Sequence, residues 1–145
     1  MSIESEQFMR AALIEGRKAL PLCLPNPPVG CVLVKAGAIV ARGHTQPPGL
    51  DHAEAMALSQ VLGDLTSITA YVTLEPCSFQ GRTPSCAKAL VKSGIKQIVV
   101  AMLDPDPRNS GAGIRILEAG GVNIFVGLLE CEAIADLSPY LRSSS

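Results

Sequence analysis

An α/β fold built on a mixed sheet of about five strands is what this sequence predicts, on three observations. Two apolar runs rich in β-branched residues, at 29–34 and 38–42, are joined by Lys35-Ala36-Gly37 and read as an antiparallel hairpin. Farther on, an apolar run at 68–74, a helical segment at 84–93 and a second apolar run at 95–102 read as a βαβ unit, whose strands must be parallel with a right-handed crossover. A helix at 114–119 and a strand at 122–126 then extend the alternation.

Taken in order, residues 5–20 place Phe8, Ala11, Ala12, Glu15 and Ala19 at near-helical spacing, and Pro21, Pro25, Pro27 and Pro28 end that helix. The hairpin follows, then a loop over 43–50. From 53 to 62 the apolar positions Ala53, Met56, Ala57 and Val61 recur at helical spacing, with Asp51 available as the cap. For the helix at 84–93, Thr83 is the expected cap and Pro84 stands at the favoured first position. A closing helix is predicted over 128–141, with Pro139 and Ser143-Ser144-Ser145 marking a frayed end. No repeat, low-complexity linker or second core is visible, so residues 1–145 read as a single domain.

Composition excludes several roles. Net charge is −1 and the twelve Lys and Arg are scattered, which leaves no basic stripe for a phosphate backbone. With five aromatic residues and no Trp there are few platforms for stacking single-stranded bases. A long nucleic acid is therefore not the expected partner; a small, singly phosphorylated molecule suits the chain better. No apolar run approaches the ~20 residues that span a bilayer, and the polar start carrying Glu4 and Glu6 is unlike a secretory leader. The expectation is a cytoplasmic protein with no membrane partner. Five cysteines at irregular spacing suit a reducing compartment, with Cys23, Cys31 and Cys131 as buried or free thiols.

The chemistry is concentrated in His52-Ala53-Glu54, Pro76-Cys77 and Cys86. Two thiolates and an imidazole can hold zinc while leaving a tetrahedral ion one position for water, as catalytic sites do and closed structural sites do not. Glu54 is then a carboxylate free to move protons. Zinc-dependent base deaminases carry H-x-E followed by P-C-x-x-C, the glutamate acting as general acid and base. This chain differs from that pattern in having eight residues, 78–85, between the two cysteines. His52 and Glu54 fall in a first helical turn, from which both reach past the helix end. Cys86 starts the next helix, whose positive end favours thiolate. His44 lacks the accompanying glutamate and helix start, and reads as a solvated or pocket-lining histidine.

Ligands of open α/β sheets bind beyond the carboxyl ends of the parallel strands. Glu75-Pro76-Cys77 leaves one such end and Asp104-Pro105-Asp106-Pro107 the next. If the hairpin shares that orientation, His52 and Asn26 reach the same rim. Asn26 is thereby a candidate for hydrogen bonding the substrate base, and Arg82 with Thr83, at a helix start beside the metal, for contacting a phosphate.

These residues resemble the deaminase domain of riboflavin biosynthesis, within the wider cytidine deaminase-like superfamily. Asn26-Pro27-Pro28-Val29-Gly30-Cys31-Val32 is similar to that family's N-P-x-V-G-C-V, His52-Ala53-Glu54 to its H-A-E, and Thr73-Leu74-Glu75-Pro76-Cys77-Ser78 to its T-L-E-P-C-S. Gly81-Arg82-Thr83-Pro84 with Cys86 matches G-[RK]-T-P-x-C and accounts for the long spacing between the cysteines; Asp104-Pro105 and Gly111 to Gly113 echo D-P-N-P and G-x-G.

The resemblance implies a three-layer α/β/α fold with helices on both faces of the sheet, and zinc held by His52, Cys77 and Cys86 with Glu54 as the catalytic residue. It further implies hydrolytic deamination of 2,5-diamino-6-ribosylamino-4(3H)-pyrimidinone 5′-phosphate, and substrate contacts from Asn26, Arg82, Thr83, Asp104, Thr45 and Phe79. A homodimer or homotetramer is implied too. Many members carry a reductase behind the deaminase; here a separate reductase is expected. Three positions depart from the pattern: Phe79 stands where His usually follows C-S, Thr45 stands seven residues before His52 where His is common, and Asp106 replaces the Asn of D-P-N-P. The alternatives are a deaminase of another nucleobase or nucleotide, including tRNA adenosine, and a catalytically silent, zinc-held binding module.

Overall fold

The computed structural model describes residues 2–79 and 84–141. Its first helix, α1 (Ile3–Arg17), begins where the Ser2 hydroxyl accepts the Ser5 amide at 3.1 Å, with Glu4 and Glu6 complementing the positive helix end. It turns Met9, Ala12, Leu13, Glu15 and Gly16 inward. Short turns around Pro21 and Pro25 carry the chain from α1 to β1 (Gly30–Lys35) and β2 (Ala38–His44), the two strands of the hairpin. Ala36 and Gly37, both at positive φ, make the tight turn between these strands. Then come α2 (Ala53–Leu58), β3 (Ile68–Val72), α3 (Cys86–Ser93), β4 (Gln97–Val100), α4 (Ala112–Ala119), β5 (Asn123–Val126), α5 (Glu130–Leu137) and a single 3-10 turn, Ser138–Tyr140.

The five strands form one sheet in the order β2-β1-β3-β4-β5. β1 runs antiparallel to both β2 and β3, whereas β3, β4 and β5 are mutually parallel. The predicted mixed sheet is therefore observed, with the hairpin at one side and the βαβ unit at the other. Several predicted elements were longer than those that form, whereas β2 and α4 extend beyond their predicted 38–42 and 114–119. β3 and β4 stop at Val72 and Val100, and α2 stops at Leu58, where the Ser59 and Gln60 amides close the last turn on Ala55 and Ala57. The closing helix divides at Ser138, because Pro139 supplies no amide to continue the ladder.

Glycines show how the layers sit. Paired residues of neighbouring strands face the same way and successive residues face opposite ways. Cys31 pairs with Gly43, and a Cβ on Gly43 would lie 2.1 Å from the Ala53 carbonyl oxygen of α2. Gly30, the next residue back from Cys31, would put a Cβ 1.8 Å from the Ala12 carbonyl oxygen of α1. Helices α1 and α2 thus pack closely on opposite faces. α5 adds to the α1 layer, and α3 continues from α2 to α4. The core between the layers includes Leu33, Ile68, Leu90, Ile95, Ile98 and Leu117, each fully or almost fully buried. Burial of each such side chain stabilises the fold by about 1.5–3 kcal/mol. Among the described residues no helix is long and apolar enough to cross a membrane.

Candidate metal centre and active site

Four strand ends meet at one edge of the sheet. Gly30 pairs with His44, and Cys31 pairs with Val72, so the start of β1 and the end of β2 lie beside the end of β3. Val72 pairs in turn with Val100, the end of β4. Beyond this edge the Thr73 amide bonds to the Gly30 carbonyl and the Glu75 amide to the Met102 carbonyl, which fixes the departing chains side by side.

His52 is the cap residue of α2, in extended conformation and with no capping bond from its side chain. Asp51 was the expected cap; His52 takes that place instead, with its imidazole against Cys86. Glu54 lies in the first turn and is buried. At α3 the cap is Ser85: its hydroxyl accepts the Lys88 amide and donates to the Cys77 carbonyl at 2.8 Å. Thr83, expected in that place, lies outside the described residues, as does Arg82. Cys86 is the first residue of α3, and Ser85 ties its helix to the loop that carries Cys77.

These placements gather three donors. His52 Nδ1 lies 3.2 Å from Cys86 Sγ and 3.9 Å from Cys77 Sγ, and the three ligand atoms all lie within 4.8 Å of one another. Zinc bonds of ~2.0–2.3 Å in a tetrahedron set their ligand atoms roughly 3.4–3.8 Å apart, so the donor set could hold that ion. Its protonation agrees. The Cys86 thiol hydrogen-bonds the Cys77 sulfur, and this, with His52 and the Cys86 amide at 3.2 Å, pulls Cys77 down to about 4 against the cost of burial. Cys86, which shares its proton with Cys77, is correspondingly raised. The bond to Cys77 raises His52 as well. Burial, then the Cys77 thiolate, pushes Glu54 up to about 7. The first proton leaves this cluster easily and the second only on binding a cation.

Two buried residues that the sequence reading did not single out hold the loops in place. Asn109 accepts the Ser78 amide at 2.9 Å and donates to the Pro76 carbonyl and to Asp104 Oδ2, both at 3.3 Å. Glu75 accepts the Asp104, Gly111 and Ile114 amides, joining the Asp104 loop to the start of α4. A Cβ on Gly113 would lie 2.0 Å from the Pro76 carbonyl oxygen, so only glycine lets α4 approach the Cys77 loop this closely. Glu75 stood inside a quoted motif, which was the available signal; nothing local distinguished Asn109.

The cluster opens, on its His52 and Cys77 side, into a cleft of about 560 Å³. Asn26, Thr45, Phe79 and Asp104 line it together with His52, Glu54 and Cys77. Thr45 is buried, and its hydroxyl donates to the Pro27 carbonyl and accepts the Val29 amide, so it fastens the loop after Asn26. Asp104 spends its carboxylate on the Asp106 amide and Asn109. Arg108, Tyr140 and Leu141 also line the cleft and carried no sequence signal; the last two return from the far end of the chain. His44 does not line it: its Nδ1 lies 2.7 Å from buried Glu15 on α1. Cys23, Cys31 and Cys131 are free, the first two buried and the third exposed.

Comparison with known proteins bears on this arrangement. Residues 2–102 match the family described as the cytidine and deoxycytidylate deaminase zinc-binding region. The riboflavin biosynthesis protein RibD of Chlamydia muridarum is 43% identical over an alignment of 145 positions that covers 98% of this chain and 39% of that protein. Among solved structures, form 2 of Acinetobacter baumannii RibD superposes with a TM-score of 0.91 at 40% identity, covering 95% of this chain and 39% of that one. The Thermotoga maritima diaminohydroxyphosphoribosylaminopyrimidine deaminase/5-amino-6-(5-phosphoribosylamino)uracil reductase gives 0.88 at 38% identity, covering 94% and 40%. The chain thus spans about two fifths of the length of these relatives.

Proposed function

The chain belongs to the cytidine and deoxycytidylate deaminase zinc-binding family, and from that premise we propose that it hydrolytically deaminates a small aminopyrimidine, the diaminopyrimidine ribosyl phosphate of riboflavin biosynthesis. The observation that carries the reading is the cluster of His52, Cys77 and Cys86 beside buried Glu54, with His52, Cys77 and Glu54 lining the cleft. The substrate assignment is supported by similarity to RibD proteins and to the Thermotoga deaminase/reductase. The reading concerns deamination alone and sets it in the cytoplasm.

His52, Cys77 and Cys86 would hold zinc, which when bound supplies the Lewis acidity that makes water a nucleophile at neutral pH. Glu54 carries the protons. Its carboxylate accepts one from the attacking water and delivers it to the departing nitrogen, so a C–O bond forms, a C–N bond breaks and ammonia leaves. Burial raises this carboxyl above its ordinary range, toward the neutral pH at which a proton carrier must both accept and release. Asn26 orients the base by hydrogen bonding, Thr45 and Asp104 shape the walls, and Phe79 covers one side. Arg82 and Thr83 contact the phosphate.

The test is ammonia release by zinc-loaded protein from the diaminopyrimidine ribosyl phosphate, set against cytidine, deoxycytidylate and tRNA. The reading expects kcat/KM at least about 100-fold higher for the first. Turnover confined to another member of the panel would overturn it. The proposed homodimer or homotetramer is checked by sedimentation, in which a 15.1 kDa species would contradict it.

A further inference from the structure

Resting on that functional reading, we propose that Arg108, clamped by Asp106 and seated on Phe79, is a specificity-determining residue that takes the phosphoryl group of the substrate at the cleft mouth. Arg108 is the only Lys or Arg among the described residues that line the cleft. Its side chain is 58% exposed, so ordinarily it would sample many rotamers. Here it is held from two sides. Nε lies 3.1 Å from both Asp106 carboxylate oxygens and Nη2 lies 2.6 Å from Oδ2, a fork on a carboxylate, while the guanidinium carbon stands 5.1 Å from the centre of the Phe79 ring.

The clamp leaves the far edge of the guanidinium for a ligand. Nη1 makes no hydrogen bond among the described residues, although a guanidinium offers five donors and Asp106 engages only Nε and Nη2. Asp106 would repel a phosphate if it faced the cleft freely, but it is 7% exposed and directs both oxygens at Arg108. What the cleft meets is a fixed planar fork, the geometry that recognises phosphoryl oxygens. The fork also links two departures from the family pattern. An Asn at 106 could not make this charged clamp, and a His at 79 would replace the apolar ring with a polar one. Arg108, Asp106 and Phe79 therefore act as one unit.

The experiment measures the ratio of KM for the dephosphorylated diaminopyrimidine nucleoside to KM for its 5′-phosphate in the wild type, Arg108→Ala and Arg108→Lys. In parallel, binding of ribose 5-phosphate is followed by calorimetry in the same proteins. The ratio is expected to fall about tenfold in Arg108→Ala and only partly recover in Arg108→Lys, which keeps the charge and loses the fork. Ribose 5-phosphate affinity should fall in step. An unchanged ratio together with unchanged ribose 5-phosphate binding would overturn the assignment. Loss of deamination of both pyrimidines in the wild type, with ribose 5-phosphate still bound through Arg108, would sink the substrate reading and leave the phosphoryl subsite standing.

Discussion

At the floor of the cleft stand His52, Glu54 and Cys77, with Cys86 behind them; Ser85 ties the Cys77 loop to the start of α3, Asn109 and Glu75 brace that loop from the α4 side, and little of this is open to solvent. At the mouth, Phe79 is 41% exposed and Arg108 more so, and Tyr140 arrives on a single 3-10 turn. Buried polar groups demand partners, so a change at the floor leaves another group unsatisfied; a change at the mouth leaves only water. Chemistry can stay fixed at the floor while recognition varies above it. Of the three departures from the family pattern, Phe79 is exposed at the mouth while Thr45 and Asp106 are buried; all three line the cleft, and none is a proposed metal ligand.

Substitutions should separate the two regions. Cys77→Ala removes a donor from the centre of the cluster and is expected to abolish zinc retention and lower turnover by more than about 10⁴-fold, beyond what a proton shuttle alone supplies. Metal analysis after dialysis, with ammonia release, checks it; a zinc-replete, active variant would show that the floor is not a metal site.

Asn109→Ala, which touches no proposed ligand side chain, should lower zinc affinity about 10–100-fold by freeing the Pro76-Cys77-Ser78 loop. Competition against a chelator measures this. Wild-type affinity would place Asn109 with the tolerant residues of the mouth.

Acid should act on the floor next. Cys86 is raised and holds a proton that zinc must displace, and the bond to Cys77 shifts His52 upward as well, whereas Cys77 at about 4 is already a thiolate at neutral pH. Zinc affinity is therefore expected to rise with pH near neutrality, by about tenfold per unit for each proton released. Calorimetry in buffers of different ionisation enthalpy counts those protons; a count of zero would contradict the shared-proton pair.

The smallest effect is expected at the mouth. Phe79→Leu removes the ring beneath Arg108 and should raise KM only about two- to fivefold, leaving zinc content unchanged.

The same contrast governs what could be read from the sequence. Strand runs, the hairpin turn and the H-A-E and P-C motifs are local, so the mixed sheet and the candidate ligands were legible. Helix starts were less so: Asp51 and Thr83 are sound caps by composition, but His52 and Ser85 adopt the cap geometry, one because its ring must leave the helix end and the other because it also bonds Cys77. Some strand ends ran long where buried residues continue past the last paired residue, as at Thr73-Leu74 and Ala101-Met102. Asn109, Arg108 and Tyr140 escaped notice because their meaning lies in what they meet across the fold, not in their neighbours along the chain.

The central claim is that Glu54 carries protons for a reaction at a metal held by its neighbours. Zinc content and single-turnover ammonia release, measured together on Glu54→Gln, test it most directly. The account predicts full zinc occupancy with turnover reduced by about 10²–10⁴-fold. A zinc-replete Glu54→Gln protein that deaminates at the wild-type rate would contradict it.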